Sequence, residues 1–226
     1  MPIASVNIRA LAKGLGRELN EDVLGGICFD YGLELDGLET DEETGEQMAK
    51  IEIPANRPDL LCLEGLVIAL GCFLGKMEIP TYSLIPTKTP EKLIVETPIS
   101  SLRPYALGAV LREIEFDDCR YQSFIDYQEK LHHNICRKRS LVSIGTHDLD
   151  TIKGPFIYTA KKHNEIKFVP LIGTEEVDGN QLLEMLRGHQ QLKKFVPLVE
   201  QSDLLPVIQD SNDIVLSIPP LINGDH

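Results

Sequence analysis

The chain has 226 residues, of which 42% are hydrophobic and 25% charged, values typical of a soluble globular protein with one large or two modest domains. Its formal net charge is −13, and residues 1–80 carry fifteen acidic against six basic side chains. Such an acidic region repels phosphate backbones, which argues against a free-standing nucleic-acid or DNA binder. No apolar stretch approaches the ~20 residues that a membrane span needs, so we predict no membrane association.

The five cysteines lack the spacing of a metal site. Their number is odd, and three of them lie among apolar neighbours, as in "LLCLEGL". This pattern favours buried, reduced thiols and a cytoplasmic location, with no bound metal.

The first 80 residues predict a small, helix-rich α+β domain. Residues 5–16 and 20–35 have helical patterns, and Asn20 is a plausible N-cap for the second helix. An acidic loop follows, then "AKIEIP" alternates as a strand, and leucines recur at helical spacing after Pro58.

A proline-rich stretch, "EIPTYSLIPTKTPE", indicates a linker. We therefore predict a first domain over residues 1–80, a linker over 81–90 and a second domain over 91–226. The second domain mixes predicted strands with two helices, over 121–139 and 179–190, so both domains are α+β. The strands are predicted in the segments "KLIVET", "YALGAVLREIEF", "LVSIG", "PFIYTA", "IKFVPL", "PVIQD" and "IVLSI".

The segment "SIGTHDLDTIKGPF" has the clearest functional pattern, because polar side chains follow a predicted strand end. His147 and Asp148 could position a water or a ribose hydroxyl. Alternatively, Thr146 and Asp148 cap a turn and His147 packs beside them. The sequence contains no nucleophile elbow, phosphate-binding glycine loop or zinc-binding helix motif that would settle the choice.

A basic cluster, "HHNICRKRS", ends the first predicted helix of the second domain. Arg137, Lys138 and Arg139 could contact a phosphate backbone. Cations at this position also complement the helix dipole, and both interpretations stay open. The aromatic residues of this region, Tyr158 among them, are expected in the core.

Three long segments in this order resemble one family: "IEIPANRPDLLCLEGLVIALG", "YQSFIDYQEKLHHNICRKRSLVSIGTHDLDTIKGPFIYTA" and "PVIQDSNDIVLSIPPLINGDH". They are similar to the N-terminal part of the phenylalanine–tRNA ligase beta-subunit family, of the cytosolic eukaryotic and archaeal type. The resemblance implies a nucleic-acid-binding-like first domain and a tRNA-editing-type second domain.

The resemblance also implies the function. A phenylalanine pocket rejects the extra hydroxyl of tyrosine only weakly, so a second site must hydrolyse Tyr-tRNA(Phe). From the family's editing motif we expect Ser217 and Asn223 to be polar groups of that pocket, Ile208 to shape its aryl slot, and His147 and Asp148 to lie at its mouth. The hydroxyl of Ser217 could instead simply bond a carbonyl within its strand.

In this family the chain continues beyond "INGDH" with a further acidic editing element, so we expect an excised N-terminal piece whose editing domain is truncated at its C-terminal end. The expected partners are tRNA(Phe) and the alpha subunit, in an α2β2 heterotetramer. ATP and Mg²⁺ would serve the holoenzyme rather than this piece, which should not aminoacylate on its own. The alternatives are a non-catalytic protein- or tRNA-binding module and, less favoured, a free-standing editing hydrolase.

Overall fold

The chain forms a mixed α+β structure with two separate β-sheets. The structure is a computed structural model that describes residues 2–225. One unit comprises the residues up to Leu84 together with Glu115–Lys138. The other comprises Ile85–Ile114 together with the residues from Arg139 onward. Each unit has its own hydrophobic core. None of the helices in the described part of the chain is long and apolar enough to cross a membrane.

The first unit combines a three-stranded antiparallel sheet, in the order β1-β3-β2, with four helices. Buried leucines of the helices and alternate residues of the strands make its core, which includes Leu11, Leu24, Ile51 and Leu66. The elements are β1 (Ile3–Asn7), α1 (Ile8–Leu15), α2 (Glu21–Tyr31), β2 (Glu34–Thr40), β3 (Gln47–Glu52), α3 (Leu63–Phe73) and α4 (Asp118–His133).

The N-cap predicted at Asn20 is confirmed, since its Oδ1 accepts a hydrogen bond from the backbone N–H of Val23 at 2.8 Å. The helix predicted over residues 5–16 is partly wrong. Its first residues form β1, and α1 begins only after Asn7, whose side chain caps it. Strand β2 was not predicted, because Gly37 interrupts it with a φ of 150° beside a shift in register.

Helix α4 packs on the first unit, whereas the sequence assigned it to the second domain. Tyr127 packs against the first core, and the Ser123 hydroxyl donates to the carboxylate of Glu64 at 2.9 Å. The Lys130 ammonium donates to the carbonyl of Leu61 at 3.2 Å. Helix α4 therefore packs with α3, which is far from it in sequence. A domain boundary placed by composition alone does not capture the return of the chain to the first unit. The division into 1–80, 81–90 and 91–226 remains a prediction.

The second unit contains a five-stranded sheet in the order β4-β5-β6-β7-β8, in which β4 is parallel to β5 and the other pairs are antiparallel. Leu205 and Val207 of one strand face a core that includes Leu182 and Leu186 of the unit's α-helix. The elements are β4 (Leu93–Val95), β5 (Phe156–Lys162), α5 (Gly179–Gly188), β6 (Leu204–Gln209), β7 (Val215–Ile218) and β8 (Ile222–Asn223).

Three of the strands predicted in this region are absent from the described residues. Residues 105–116 and 141–145 have no regular structure. In the first of these segments Tyr105 and Leu107 are fully solvent-exposed, so its apolar residues bury nothing that could hold it in a sheet. Residues 166–171 contribute only the isolated bridges of Phe168 with Val177 and of Pro170 with Gly224.

Candidate functional site

Three of the residues singled out in the sequence lie side by side in the second sheet. Ile208 of β6 pairs with Ser217 of β7, and Ser217 pairs with Asn223 of β8. Directly opposed residues of adjacent strands place their side chains on the same face of a sheet. An apolar group, a hydroxyl and an amide therefore form one line across three strands.

The face that carries this line is the one turned away from the core of the second unit. Val207 and Leu205 alternate with Ile208 along β6 and belong to the core, as do Ile218 and Ile222, the neighbours of Ser217 and Asn223. Since successive side chains of a strand point to opposite faces, Ile208, Ser217 and Asn223 project from the other face. Ser217 is nevertheless only 5% exposed, so a ligand would meet a desolvated hydroxyl.

Local irregularities set this register. The pairing of β6 with β7 shifts between Ile208 and Gln209, so that Gln209 opposes Val215. A tight turn after β7, closed by a 2.8 Å hydrogen bond from the N–H of Leu221 to the carbonyl of Ile218, brings β8 back beside Ser217. A slip of one residue at either place would move the three side chains out of line.

Tyr158 of β5 extends the line on its other side, since it pairs with Ile208. The sequence assigned this residue to the core, and it is indeed only 3% exposed. Burial raises the pKa of its phenol, and the nearby positive charge of Arg103 opposes that shift. We call the set Tyr158, Ile208, Ser217 and Asn223 the register row. Tyr158 was missed as a site residue because its pairing with Ile208 is a long-range property of the sheet.

The loop at Gly145 lies beside the Asn223 end of the register row. A Cβ at Gly145 would stand 3.2 Å from the Oδ1 of Asn223 and 3.6 Å from the Nε2 of His147. The structure thus brings the half-buried His147 towards Asn223, and a side chain at Gly145 would push the side chain of Asn223 aside by a few tenths of an ångström.

Asp148, in contrast, organises its own turn. Its carboxylate accepts a hydrogen bond from the N–H of Asp150 at 3.0 Å, and its carbonyl accepts from the hydroxyl of Thr151 at 2.8 Å. The side chain is exposed, as expected for a residue that caps a turn. The turn-capping interpretation describes these contacts of Asp148.

The basic run beyond α4 has an unusual backbone. Arg137, Lys138 and Arg139 all have positive φ, at 49°, 54° and 64°, a left-handed conformation that costs non-glycine residues free energy. Arg137 and Lys138 are exposed, whereas the guanidinium of Arg139 lies 4.4 Å from the ring centroid of Phe195. The run begins after the helix has ended at His133, so the basic residues in its last turn are instead Lys130, His132 and His133.

Residues 2–225 contain no group of three or more histidine, cysteine, aspartate or glutamate side chains that could hold a metal ion. The site described here is therefore one of apolar, hydroxyl and amide groups with a neighbouring imidazole.

Comparison with known proteins gives the class of this chain. The family model described as "Phe-tRNA synthetase beta subunit B1 domain" matches residues 1–76. Over its full length the chain is 46% identical to the human phenylalanine–tRNA ligase beta subunit and 45% identical to that of Drosophila melanogaster. It is also 46% identical to an Arabidopsis thaliana relative named as a cytoplasmic beta subunit.

A solved structure agrees with this relationship. The crystal structure of an N-terminal fragment of the phenylalanyl-tRNA synthetase beta subunit from Pyrococcus horikoshii matches with a TM-score of 0.88 at 29% identity. The match covers 99% of this chain and 63% of that one. The chain spans about two fifths of the length of the curated relatives it matches.

The similarity thus defines an aminoacyl-tRNA synthetase subunit. More particularly, the chain belongs to the family of phenylalanine–tRNA ligase beta subunits and corresponds to their N-terminal part.

Proposed function

We propose that this chain is the part of a phenylalanine–tRNA ligase beta subunit that carries a portion of the site hydrolysing Tyr-tRNA(Phe). The holoenzyme would join phenylalanine to tRNA(Phe) in the cytoplasm with ATP and Mg²⁺, and the chain alone would not aminoacylate. The observation that carries this proposal is the register row, where Ile208, Ser217 and Asn223 stand together on one face of the sheet.

The composition of the register row suits a tyrosyl group. Ile208 offers an apolar contact for the aromatic ring. Ser217 and Asn223 offer a hydroxyl and an amide, each able to donate to or accept from the phenol. A site built to bond a substrate hydroxyl disfavours the analogue that lacks it, because its own buried polar groups would then be unpaired. A bound phenylalanyl group would leave the hydroxyl of Ser217 without a partner on the ligand.

Hydrolysis requires a water molecule directed at the ester carbonyl and donors for the developing oxyanion. His147, whose Nε2 lies near the Asn223 side of the register row, is the candidate to orient that water or the ribose of the terminal adenosine. We assign no general base, since none of the described contacts joins a titratable group to the hydroxyl of Ser217. Asp148 would act indirectly, by holding the turn that carries His147.

The remaining parts of the chain would serve the same reaction. Arg137, Lys138 and Arg139 would contact the tRNA backbone, which the exposure of the first two supports. The first unit would have a nucleic-acid-binding-like fold. The partner would be the alpha subunit, in an α2β2 heterotetramer that places aminoacylation and editing on different subunits.

The experiment is a paired assay of the complete synthetase carrying Ser217→Leu. The larger apolar side chain fills the space of the tyrosyl group, and such overpacking costs about 1–3 kcal/mol, so hydrolysis of preformed Tyr-tRNA should fall by about one to two decades. Synthesis of Phe-tRNA should change little, since it would use the other subunit.

Leu216→Met is the matched control, because it changes the adjacent buried residue of β7 with little change of volume and should leave both activities in place. Undiminished Tyr-tRNA hydrolysis in Ser217→Leu would mean that Ser217 has only a structural role in β7. The proposal would then lose its main support, and a non-catalytic binding module would become the better description.

A further inference from the structure

Arg103 is a half-buried cation in the second unit. Its Nη2 donates to the carbonyls of Arg139 and Leu141, both at a long 3.4 Å. Among residues 2–225, no carboxylate lies within ion-pairing distance of its guanidinium. Burial lowers the pKa of Arg103, although an arginine stays protonated at neutral pH. A desolvated cation with only weak neutral partners is well suited to bind an anion.

A cleft of about 250 Å³ opens beside Arg103. Its polar lining residues are Arg103, Gln201 and Ser202. Its apolar wall is formed largely by leucines and prolines, namely Leu102, Pro197, Leu198, Leu204 and Pro206. Hydrogen-bond donors next to an apolar wall fit a nucleotide, which presents a phosphate together with a ribose or a base.

Two residues that line the cleft project from the same face of β6 as Ile208 of the register row. Leu204 and Pro206 line the cleft, and they alternate along β6 with core residues, as Ile208 does. Pro206 is two residues from Ile208, about 7 Å along a strand. Tyr158, a member of the register row, is close enough to Arg103 for the positive charge of the guanidinium to oppose the rise in the pKa of the phenol. The distance from Pro206 to Ile208 is comparable to the length of one nucleotide.

We propose that the cleft beside Arg103 binds a phosphodiester of the RNA 3′ end, next to the ribose whose tyrosyl ester lies against the register row. This subsite rests on the proposed function. The guanidinium and the Ser202 hydroxyl hold the phosphate oxygens, while the leucines contact the attached nucleoside. The subsite positions the terminal nucleotide so that its ester reaches Ser217 and Asn223.

The test compares two small substrates of the complete synthetase: the tyrosyl ester of adenosine, and the same ester on the dinucleotide cytidylyl-adenosine, which adds one phosphodiester. With Arg103→Gln, KM for the dinucleotide ester should rise about 10- to 100-fold, the range for a lost hydrogen bond to a charged group. KM for the adenosine ester and kcat for both esters should stay unchanged. Arg103→Lys, which keeps the charge, should restore part of the preference for the dinucleotide.

Arg187→Gln is the matched control, because Arg187 is an exposed arginine of α5 that pairs with Glu184. This substitution should change KM and kcat for neither ester. An equal rise of KM for both esters in Arg103→Gln would overturn the subsite and make Arg103 a structural residue. Unchanged KM values for both esters would overturn the subsite as well. If the unaltered synthetase hydrolyses neither ester, the proposed function fails instead. The subsite is then judged by binding of unesterified cytidylyl-adenosine, which Arg103→Gln must weaken while adenosine binding is unchanged.

Discussion

Gly65 marks a place where two backbone segments come into close contact. An added Cβ at Gly65, in the first turn of α3, would overlap the backbone carbonyl of Asp59. That carbonyl belongs to the short turn Pro58–Leu60, which lies between β3 and α3. Asp59 of this turn forms a 2.8 Å ion pair with the preceding residue Arg57. Only a residue without a side chain lets this turn fold against the start of the helix.

We predict that Gly65→Ala destabilises the first unit by more than about 2 kcal/mol, because the overlapping atom is backbone and cannot rotate away. Gly26→Ala is the control. It lies exposed within α2 with nothing within 4 Å of its Cβ position, so it should raise the free energy of unfolding by up to about 1 kcal/mol. Urea unfolding of both variants measures the difference, and equal behaviour of the two would contradict the described packing.

The family resemblance supplied most residues of the candidate site, but their arrangement required long-range information. Ser217, Asn223 and Ile208 were chosen from a resemblance, and the sequence could not show that they oppose one another, because the shift at Gln209 sets the register. Tyr158 carried only a signal for burial. For Asp148 the sequence left a turn-capping and a functional interpretation open, and the structure provides the turn contacts that the sequence could only suggest.

At the scale of elements, local sequence patterns predicted the helices and strands that have a clear hydrophobic periodicity. Helix α5 and strands β5, β6 and β7 follow from periodicity, and the N-cap of α5 is Asp178, which exchanges hydrogen bonds with Gln181 as a capping box. The elements that failed depend on distant partners. The apolar pattern at residues 105–116 found no strand to pair with. The prediction for α4 extended too far, since the helix ends at His133 and the chain is left-handed from Arg137 to Arg139.

The packing of α4 predicts the behaviour of a nicked chain. The proline-rich segment over residues 78–91 is exposed and without regular structure, so limited proteolysis should cut there first. The two pieces should nevertheless stay together, because α4 lies on the far side of the cut and packs through Tyr127 against the first core. They should separate on a denaturing gel and elute as one species from a native sizing column.

Separation of the nicked pieces without denaturant would contradict the assignment of α4 to the first unit. Tyr127→Ala serves as a matched variant, since it removes the aromatic contact with that core and should promote dissociation. Tyr121→Ala, an exposed aromatic position on the same helix, should leave the pieces associated.

At the scale of the whole molecule, the chain combines a family-typical N-terminal unit with a second unit whose sheet presents a mixed polar and apolar face. The central claim is that this face, at the register row, receives the tyrosyl group of a mischarged tRNA. A kinetic loss can arise from several causes, whereas the position of a bound ligand reports the site directly.

The most direct measurement is therefore a crystal structure of the complete synthetase with a non-hydrolysable 3′-amide analogue of tyrosyl-adenosine. We predict that the aromatic ring contacts Ile208 and that the phenol oxygen lies within about 3.2 Å of a side-chain polar atom of Ser217 or Asn223. The account would be contradicted by an editing ligand bound at another surface, with the side chains of the register row in contact only with protein.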